Sequence, residues 1–433
     1  MHPGLPIPGS VSNVVTGATR QRFLLVAILL VTLLIAYLDR VNVAVLVADD
    51  GFLGAMGIKG DAVGKGWLMT AFLIAYGLAN VVLSPLGDWM GPRKAMSLSI
   101  VLWGAALLLG GAAGSLAMML VARVALGLGE GLQWPMQSKY VKNWFPPSER
   151  GMANSVWLVG LMIGPALAMP FFTWIVRSLG WRPSFFLLAA LGLVPLALVW
   201  WLTADHPREH PRVNPAELET IEKGLRAEAE AEAKLGAASF WENIASFAGN
   251  YRFWLLTTFY SCFASVWWGT MTWLPSYLKD ARGFSWSAMG IWSSLPYFVG
   301  GLCILGFGWL TDRVGKRAPF AALSMLGAVA GIYFGAKAAD NSTSAALISM
   351  GIASVAIGLP AAWTLAQQII PARAVGAGAG AMNGIGNGVS AFAPVLIGYF
   401  IRVTGGYEGG LLFLCGLGVL GFVCAAVLSA QKL

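Results

Sequence analysis

Hydrophobic positions along this chain gather into runs of about twenty residues, separated by short polar stretches and by one long one. A run of that length, wound as an α-helix rising about 1.5 Å per residue, covers a hydrocarbon layer of roughly 30 Å. Such runs fall at 22–47, 63–86, 95–114, 116–140, 151–177, 182–202, 251–277, 285–310, 318–337, 343–369, 374–402 and 407–430. In lipid a chain must satisfy its own backbone hydrogen bonds, so the pattern predicts an all-α integral membrane protein of twelve transmembrane helices.

Composition agrees. Hydrophobic residues make up 57% of the chain and charged ones 11%, against about 25% charged in an ordinary soluble protein. A water-soluble fold is excluded on that count. The formal net charge of +8 raises the question of nucleic acid, but the basic residues form no single patch. They sit at alternate connections, with Arg93, Lys94, Lys139, Lys142, Arg150, Arg313, Lys316, Arg317 and Arg373 on one side. The connection 48–62 carries Asp49, Asp50 and Asp61 against Lys59 and reads as the other side. This asymmetry predicts both termini in the cytoplasm, a bacterial inner-membrane location, the bilayer as partner and no nucleic-acid partner. Residues 1–21 read as a Pro/Gly/Ser-rich cytoplasmic tail ahead of a first span too long for a cleaved signal sequence. Cys262, Cys303, Cys415 and Cys424 all lie within expected spans, without metal-ligand spacing, and read as packing residues.

The long polar segment 203–250 contains AELETIEKGLRAEAEAEAK, helical in character but with no sustained apolar face. It divides an N-terminal half, 22–202, from a C-terminal half, 251–433. Across that divide two loops repeat, GDWMGPRK at 87–94 and TDRVGKR at 311–317. Asp88 and Asp312, Gly91 and Gly315, and Arg93 and Arg317 are each 224 residues apart, so the halves read as a duplication. Parallel six-helix halves of this kind place a binding site near the membrane midplane, between them.

These loops resemble the Asp-x-x-Gly-x-Arg-Lys/Arg signature between the second and third spans of the major facilitator superfamily, and the likeness covers essentially the whole chain. Within that superfamily, YLDRVNVAV, RVALGLGEGLQWP, FPPSERG and DHPREHP resemble the anion:cation symporter family. The resemblance implies two pseudo-symmetric six-helix halves and import of organic anions such as sugar acids, usually with protons.

Proton coupling needs an ionisable group inside the membrane. Among the carboxylates, Asp39 and Glu130 fall well within expected spans, whereas His2, His206 and His210 lie outside them. The interior cations are Arg40, beside Asp39, and Arg123 on span four. Counted from the outer ends of their spans, Asp39 and Arg123 have similar depth, which makes an Asp39–Arg123 ion pair plausible, and Glu130 lies two turns beyond Arg123 on the same face. The expected roles are proton exchange at Asp39 or Glu130 and anion attraction at Arg40 or Arg123; the resemblance implies the same for these four positions, the alternative being static interhelical ion pairs. Tyr37, Tyr76, Gln133, Trp134, Asn383 and Asn387 are candidate contacts for a hydroxylated ligand, with Trp268 a candidate apolar gate; helix glue is the rival reading for the polar ones. Tyr76 also matches a tyrosine of the family resembled. Asp88 and Asp312 can cap neighbouring helices, and Arg93 and Arg317 can pair with acidic groups, latching the cytoplasmic ends around Gly91 and Gly315. The glycine-rich GLGEGL and GAGAGAMNGIGNG lie within spans and follow no strand, so they are not phosphate loops, and no cofactor or metal is expected.

The sequence thus predicts a secondary active transporter, expected as a monomer and not an enzyme, that imports a small organic anion with protons. A sugar acid (aldonate, aldarate or hexuronate) leads. Aromatic or other small carboxylates remain open, because span five, NSVWLVGLMIGP, lacks the glutamine of some sugar-acid carriers in the family resembled. An exchanger or uniporter, and a membrane sensor on the same scaffold, are rival readings.

Overall fold

The computed structural model describes residues 18–83, 85–235, 240–371 and 374–431. The expected tail 1–21 therefore falls largely outside the described residues, as do Arg373 and the side chains of Asp88 and Asp312. The long helices of the bundle are α1 (Gln21–Leu46), α2 (Ala62–Val82), α3 (Pro92–Gly111), α4 (Leu116–Trp144), α5 (Pro147–Leu179), α6 (Trp181–Leu202), α7 (Tyr251–Ser276), α8 (Trp286–Thr311), α9 (Ala318–Lys337), α10 (Asn341–Ile369), α11 (Ala377–Thr404) and α12 (Tyr407–Ala430).

Among the described residues, eleven helices are long and apolar enough to cross a membrane, one fewer than the hydrophobic runs predict. The exception is α7, which has a spanning length of 26 residues but is rich in Trp, Thr and Ser. Every residue from Phe259 to Ser276 is buried among other helices, so this helix has little lipid-facing surface to keep apolar. Burial separates inner helices from outer ones in the same way: 72% of the most apolar stretch of α1 is buried, against 28% of that of α6.

Local sequence sets many of the helix boundaries. Asp61, Ser115, Asn250, Ser285 and Asp340 each stand just before a helix and accept a hydrogen bond from a backbone N–H of its first turn. In the repeated loops Gly91 (φ +81°) precedes Pro92 of α3, and Gly315 (φ +72°) ends the helix that contains α8. Both conformations are left-handed and strain any residue with a Cβ, which explains why glycine occupies the two equivalent places.

Helices α1–α6 pack chiefly on one another, as do α7–α12, and the two groups meet through α2 with α11, α5 with α8 and α1 with α7. The face where α1 begins is called basal here, and the opposite face distal. The meeting points lie distally. A Cβ on Gly66 of α2 would stand 2.6 Å from the Pro394 carbonyl oxygen of α11, and one on Gly398 would stand 2.3 Å from that of Ala62. Ser276 donates to the Val47 carbonyl (3.1 Å), and Lys279 to that of Ala48 (2.6 Å) and to Asp50 (3.2 Å).

The described parts of the 203–250 segment form helices that pack on the bundle despite the lack of a sustained apolar face. Its helix Pro215–Leu235 packs on the basal ends of α1 and α5, with Ile221 and Glu217 buried. Arg150 grips Glu228 through both terminal nitrogens, at 2.6 and 2.7 Å. A second short helix, Phe240–Ala248, lies against α7 and α11.

Candidate functional site

Between the two helix groups, on the basal side of their contacts, lies a cavity of about 480 Å³. Its volume falls in the range of small-molecule sites. The α2 wall runs from Leu73 to Val82 at the basal end of that helix, while the distal contacts close the other end.

Arg40 of α1 reaches the closed end. Its Nη2 and Nε donate to Glu130 Oε2 at 2.8 and 3.1 Å, and both side chains are almost fully buried. Aromatic rings surround the guanidinium: Tyr37 at 4.5 Å, Tyr76 at 4.9 Å, Phe72 at 5.4 Å and Trp268 at 5.6 Å from ring centre to guanidinium carbon. Such faces attract a cation and keep water from it. A carboxylate competing for this guanidinium would do so in a medium where charge–charge attraction is strong.

The other two interior charges are arranged differently from expectation. Arg123 makes no ion pair with Asp39. Its Nε donates to the Leu68 carbonyl (3.0 Å), its guanidinium lies 4.6 Å from the Phe72 ring centre, and its Nη1 has no hydrogen-bond partner among the described residues. Depth along two helices can be counted from sequence, but their rotation cannot, and rotation turns Arg123 toward the α2 backbone. Asp39 is 1% exposed, and neither of its oxygens has a hydrogen-bond partner among the described residues. It lies within electrostatic reach of Glu130, Arg123 and Arg40. Glu130 Oε1 and both amide atoms of Asn42 likewise lack hydrogen-bond partners among the described residues.

Of the candidate ligand contacts, Tyr37, Arg40, Tyr76, Trp134, Trp268, Asn383 and Asn387 line the cavity. Arg123 and Gln133 do not; Gln133 is buried. Asn383 and Asn387 are already engaged: the Tyr260 hydroxyl (2.9 Å) and Asn387 Nδ2 (2.8 Å) both donate to Asn383 Oδ1. Sequence reading missed Asn80, Tyr260 and Phe263. Their signal was present, since Tyr260, Phe263, Ala264 and Trp267 recur at the spacing of one helical face, and Asn80 follows Tyr76 by one turn.

At the basal loop, Arg93 rests its guanidinium on no carboxylate among the described residues. It donates to the Trp200 carbonyl at the end of α6, a carbonyl that the helix itself leaves unpaired, and its guanidinium carbon lies 5.1 Å from the Trp200 ring centre. The acidic contact comes from its backbone N–H, which donates to Asp205 Oδ1 at 2.7 Å. Arg317 stands immediately before α9.

Comparison with known proteins follows from this architecture. Residues 29–394 match the family model of the Major Facilitator Superfamily. The chain belongs to that superfamily. It is 30% identical over 96% of its length, and 95% of the relative's, to a protein named "Probable sulfoacetate transporter" from Cupriavidus necator. It is also 30% identical to a "Probable galactarate/D-glucarate transporter" of Bacillus subtilis, with 91% and 89% of the two chains covered. Among solved structures it resembles a D-xylose-proton symporter, with a TM-score of 0.75, 16% identity and 94% and 97% coverage, a likeness of fold alone. As a member of this superfamily the chain is a multi-pass membrane transporter and not an enzyme.

Proposed function

We propose that this protein is a secondary active transporter that imports a small organic anion together with protons. The observation that carries the proposal is the buried Arg40–Glu130 pair at the closed end of the cavity, with Asp39 unpartnered beside it. Protonation of Glu130 would release Arg40 to take the anion's carboxylate, and loss of that proton would return Arg40 to Glu130 and expel the anion. The present arrangement, with Arg40 on Glu130 and the cavity reaching the basal side, corresponds to the state after release.

In this proposal the chain crosses the membrane twelve times, α7 included, as two six-helix halves at 22–202 and 251–433 that rock about the cavity in a monomer. The basal face, which carries Lys94, Lys139, Lys142 and Arg313, is cytoplasmic by its positive charge, in a bacterial inner membrane. Gly91 and Gly315 set the loops from which Asp88, Arg93, Asp312 and Arg317 would latch the cytoplasmic ends in the outward-open state. Sugar acids are the first substrates to test, since several relatives are named for them: galactarate and D-glucarate, hexuronate and D-galactonate.

The test is uptake into proteoliposomes under an inside-alkaline pH gradient. Uphill accumulation of an organic anion is expected, and Glu130→Gln or Asp39→Asn should lower it at least tenfold while anion exchange without a gradient persists. Normal gradient-driven accumulation in both variants would place the proton elsewhere, and gradient-independent uptake by the native chain would make it a uniporter or exchanger.

A further inference from the structure

We infer that the anion is singly charged with a flat, apolar body, an aromatic monocarboxylate, rather than a polyhydroxylated sugar acid or a dicarboxylate. The inference rests on the organic-anion reading above and narrows it.

The cavity provides for one negative charge. Among the described residues Arg40 is the one charged side chain that lines it. Arg123, the other interior cation, is 1% exposed behind Phe72 and committed to the Leu68 carbonyl. The second carboxylate of a dianion, enclosed in this cavity, meets no cation, and an unpaired buried charge is strongly disfavoured.

Hydroxyl groups find polar partners at Tyr37, Tyr76, Asn80, Tyr260, Asn383 and Asn387, but two further walls offer almost none. The α5 wall consists of Leu161 and Met162, and the α10 wall of Ala356 and Leu359. None of the four offers a side-chain donor, and the Met162 thioether is a weak acceptor. On α11 the Asn383 Oδ1 acceptor already takes hydrogen bonds from Tyr260 and Asn387 before any ligand arrives. A sugar acid brings a hydroxyl on nearly every carbon, and each one buried without a partner costs on the order of tenfold in affinity.

The shape of the cavity favours a planar body. Trp268 lies nearly parallel to Tyr37, at 18° and 6.4 Å between ring centres, and Phe263 to Tyr260, at 24° and 5.7 Å. Trp134 and Trp267 add further ring surface to the same cavity. A carboxylate seated on Arg40 therefore has its body between aromatic walls, where a planar ring gains stacking and burial.

The experiment is a binding panel on the purified full-length chain, with dissociation constants from calorimetry and thermal shift as a second readout. The probes are benzoate, 4-hydroxybenzoate, terephthalate, gluconate, galactarate and the neutral isostere benzamide. Benzoate or 4-hydroxybenzoate should bind at least tenfold more tightly than gluconate, galactarate and terephthalate, with benzamide weaker still. Gluconate or galactarate binding as tightly as the aromatic acids overturns this inference and leaves the organic-anion reading standing. Terephthalate matching benzoate overturns the restriction to one charge. Benzamide matching benzoate, or no binding by any of the anions, overturns the organic-anion reading itself.

Discussion

Glu217 shows how much one side chain can do from a distance. Its Oε2 accepts from the Thr19 hydroxyl (2.6 Å) and the Gln21 N–H (3.1 Å), and its Oε1 from the Arg22 N–H and Nη1, each at 3.1 Å. Arg20, at the N-cap position of α1, makes no side-chain capping bond, so a carboxylate nearly two hundred residues away in sequence satisfies the first-turn donors. Glu217→Ala should cost about 1–3 kcal/mol, because it strands buried donors. The check is the apparent unfolding midpoint of the purified protein: a clear fall is expected, with Glu217→Gln falling less, and an unchanged midpoint in the Ala variant would show that the contact carries no stability. Arg40 teaches a related lesson. The sequence shows that it is buried and cationic but is silent on which of two carboxylates it holds.

At the scale of elements, α2 and α11 approach so closely at their distal ends that no side chain fits between them at Gly66 or Gly398. Lower down they diverge, and Gly384 and Gly388 of α11 face the cavity with nothing within 4 Å of where a Cβ would stand. One pair of helices thus both seals the cavity and lines it. Gly66→Ala would set a methyl group against the Pro394–Val395 backbone, and overpacking of this kind costs about 1–3 kcal/mol. That cost falls on the distally closed arrangement alone, so the variant should shift the population toward distal opening by about fivefold or more. Spin labels on the distal ends of α2 and α11 would report a longer mean distance; an unaltered distance distribution would mean that this contact does not govern closure. The length of helix α7 was legible in the sequence, but its weak apolarity makes sense only once its burial among neighbours is known.

For the whole molecule, the distal seal carries charge pairs between the two helix groups. Lys279 contacts Asp50 at 3.2 Å and Lys65 stands 3.8 Å from Asp280, which within its own group accepts from the Tyr407 hydroxyl at 2.9 Å. The hydrogen bond and charge of Lys279 hold the Asp50 carboxyl below the ordinary aspartate range. With the carboxyl lowered in this state, the contact contributes fully above the ordinary aspartate pKa and fades as pH falls through the lowered value. It is therefore intact at neutral pH. Lys279→Glu should favour distal opening up to about fivefold, the modest range of a partly exposed pair, and Asp50→Lys in the same chain should restore closure. Distances between labels on the distal ends of α1 and α7 test this, and failure of the double reversal to restore the native distance would sink the pairwise account.

Much of this protein was determined by sequence alone. Apolar runs of spanning length, alternating basic connections and the two similar loops 224 residues apart specify an all-α membrane fold. Each of these signals is local or one-dimensional, written in composition and spacing. Tertiary structure decided that Arg40 holds Glu130 while Arg123 turns to a backbone carbonyl. It also decided that Glu217 caps α1, and that apolar walls from α5 and α10 complete an aromatic cavity. Those outcomes depend on how each helix is rotated about its axis and on which neighbours it meets, and many packing contacts set that rotation together.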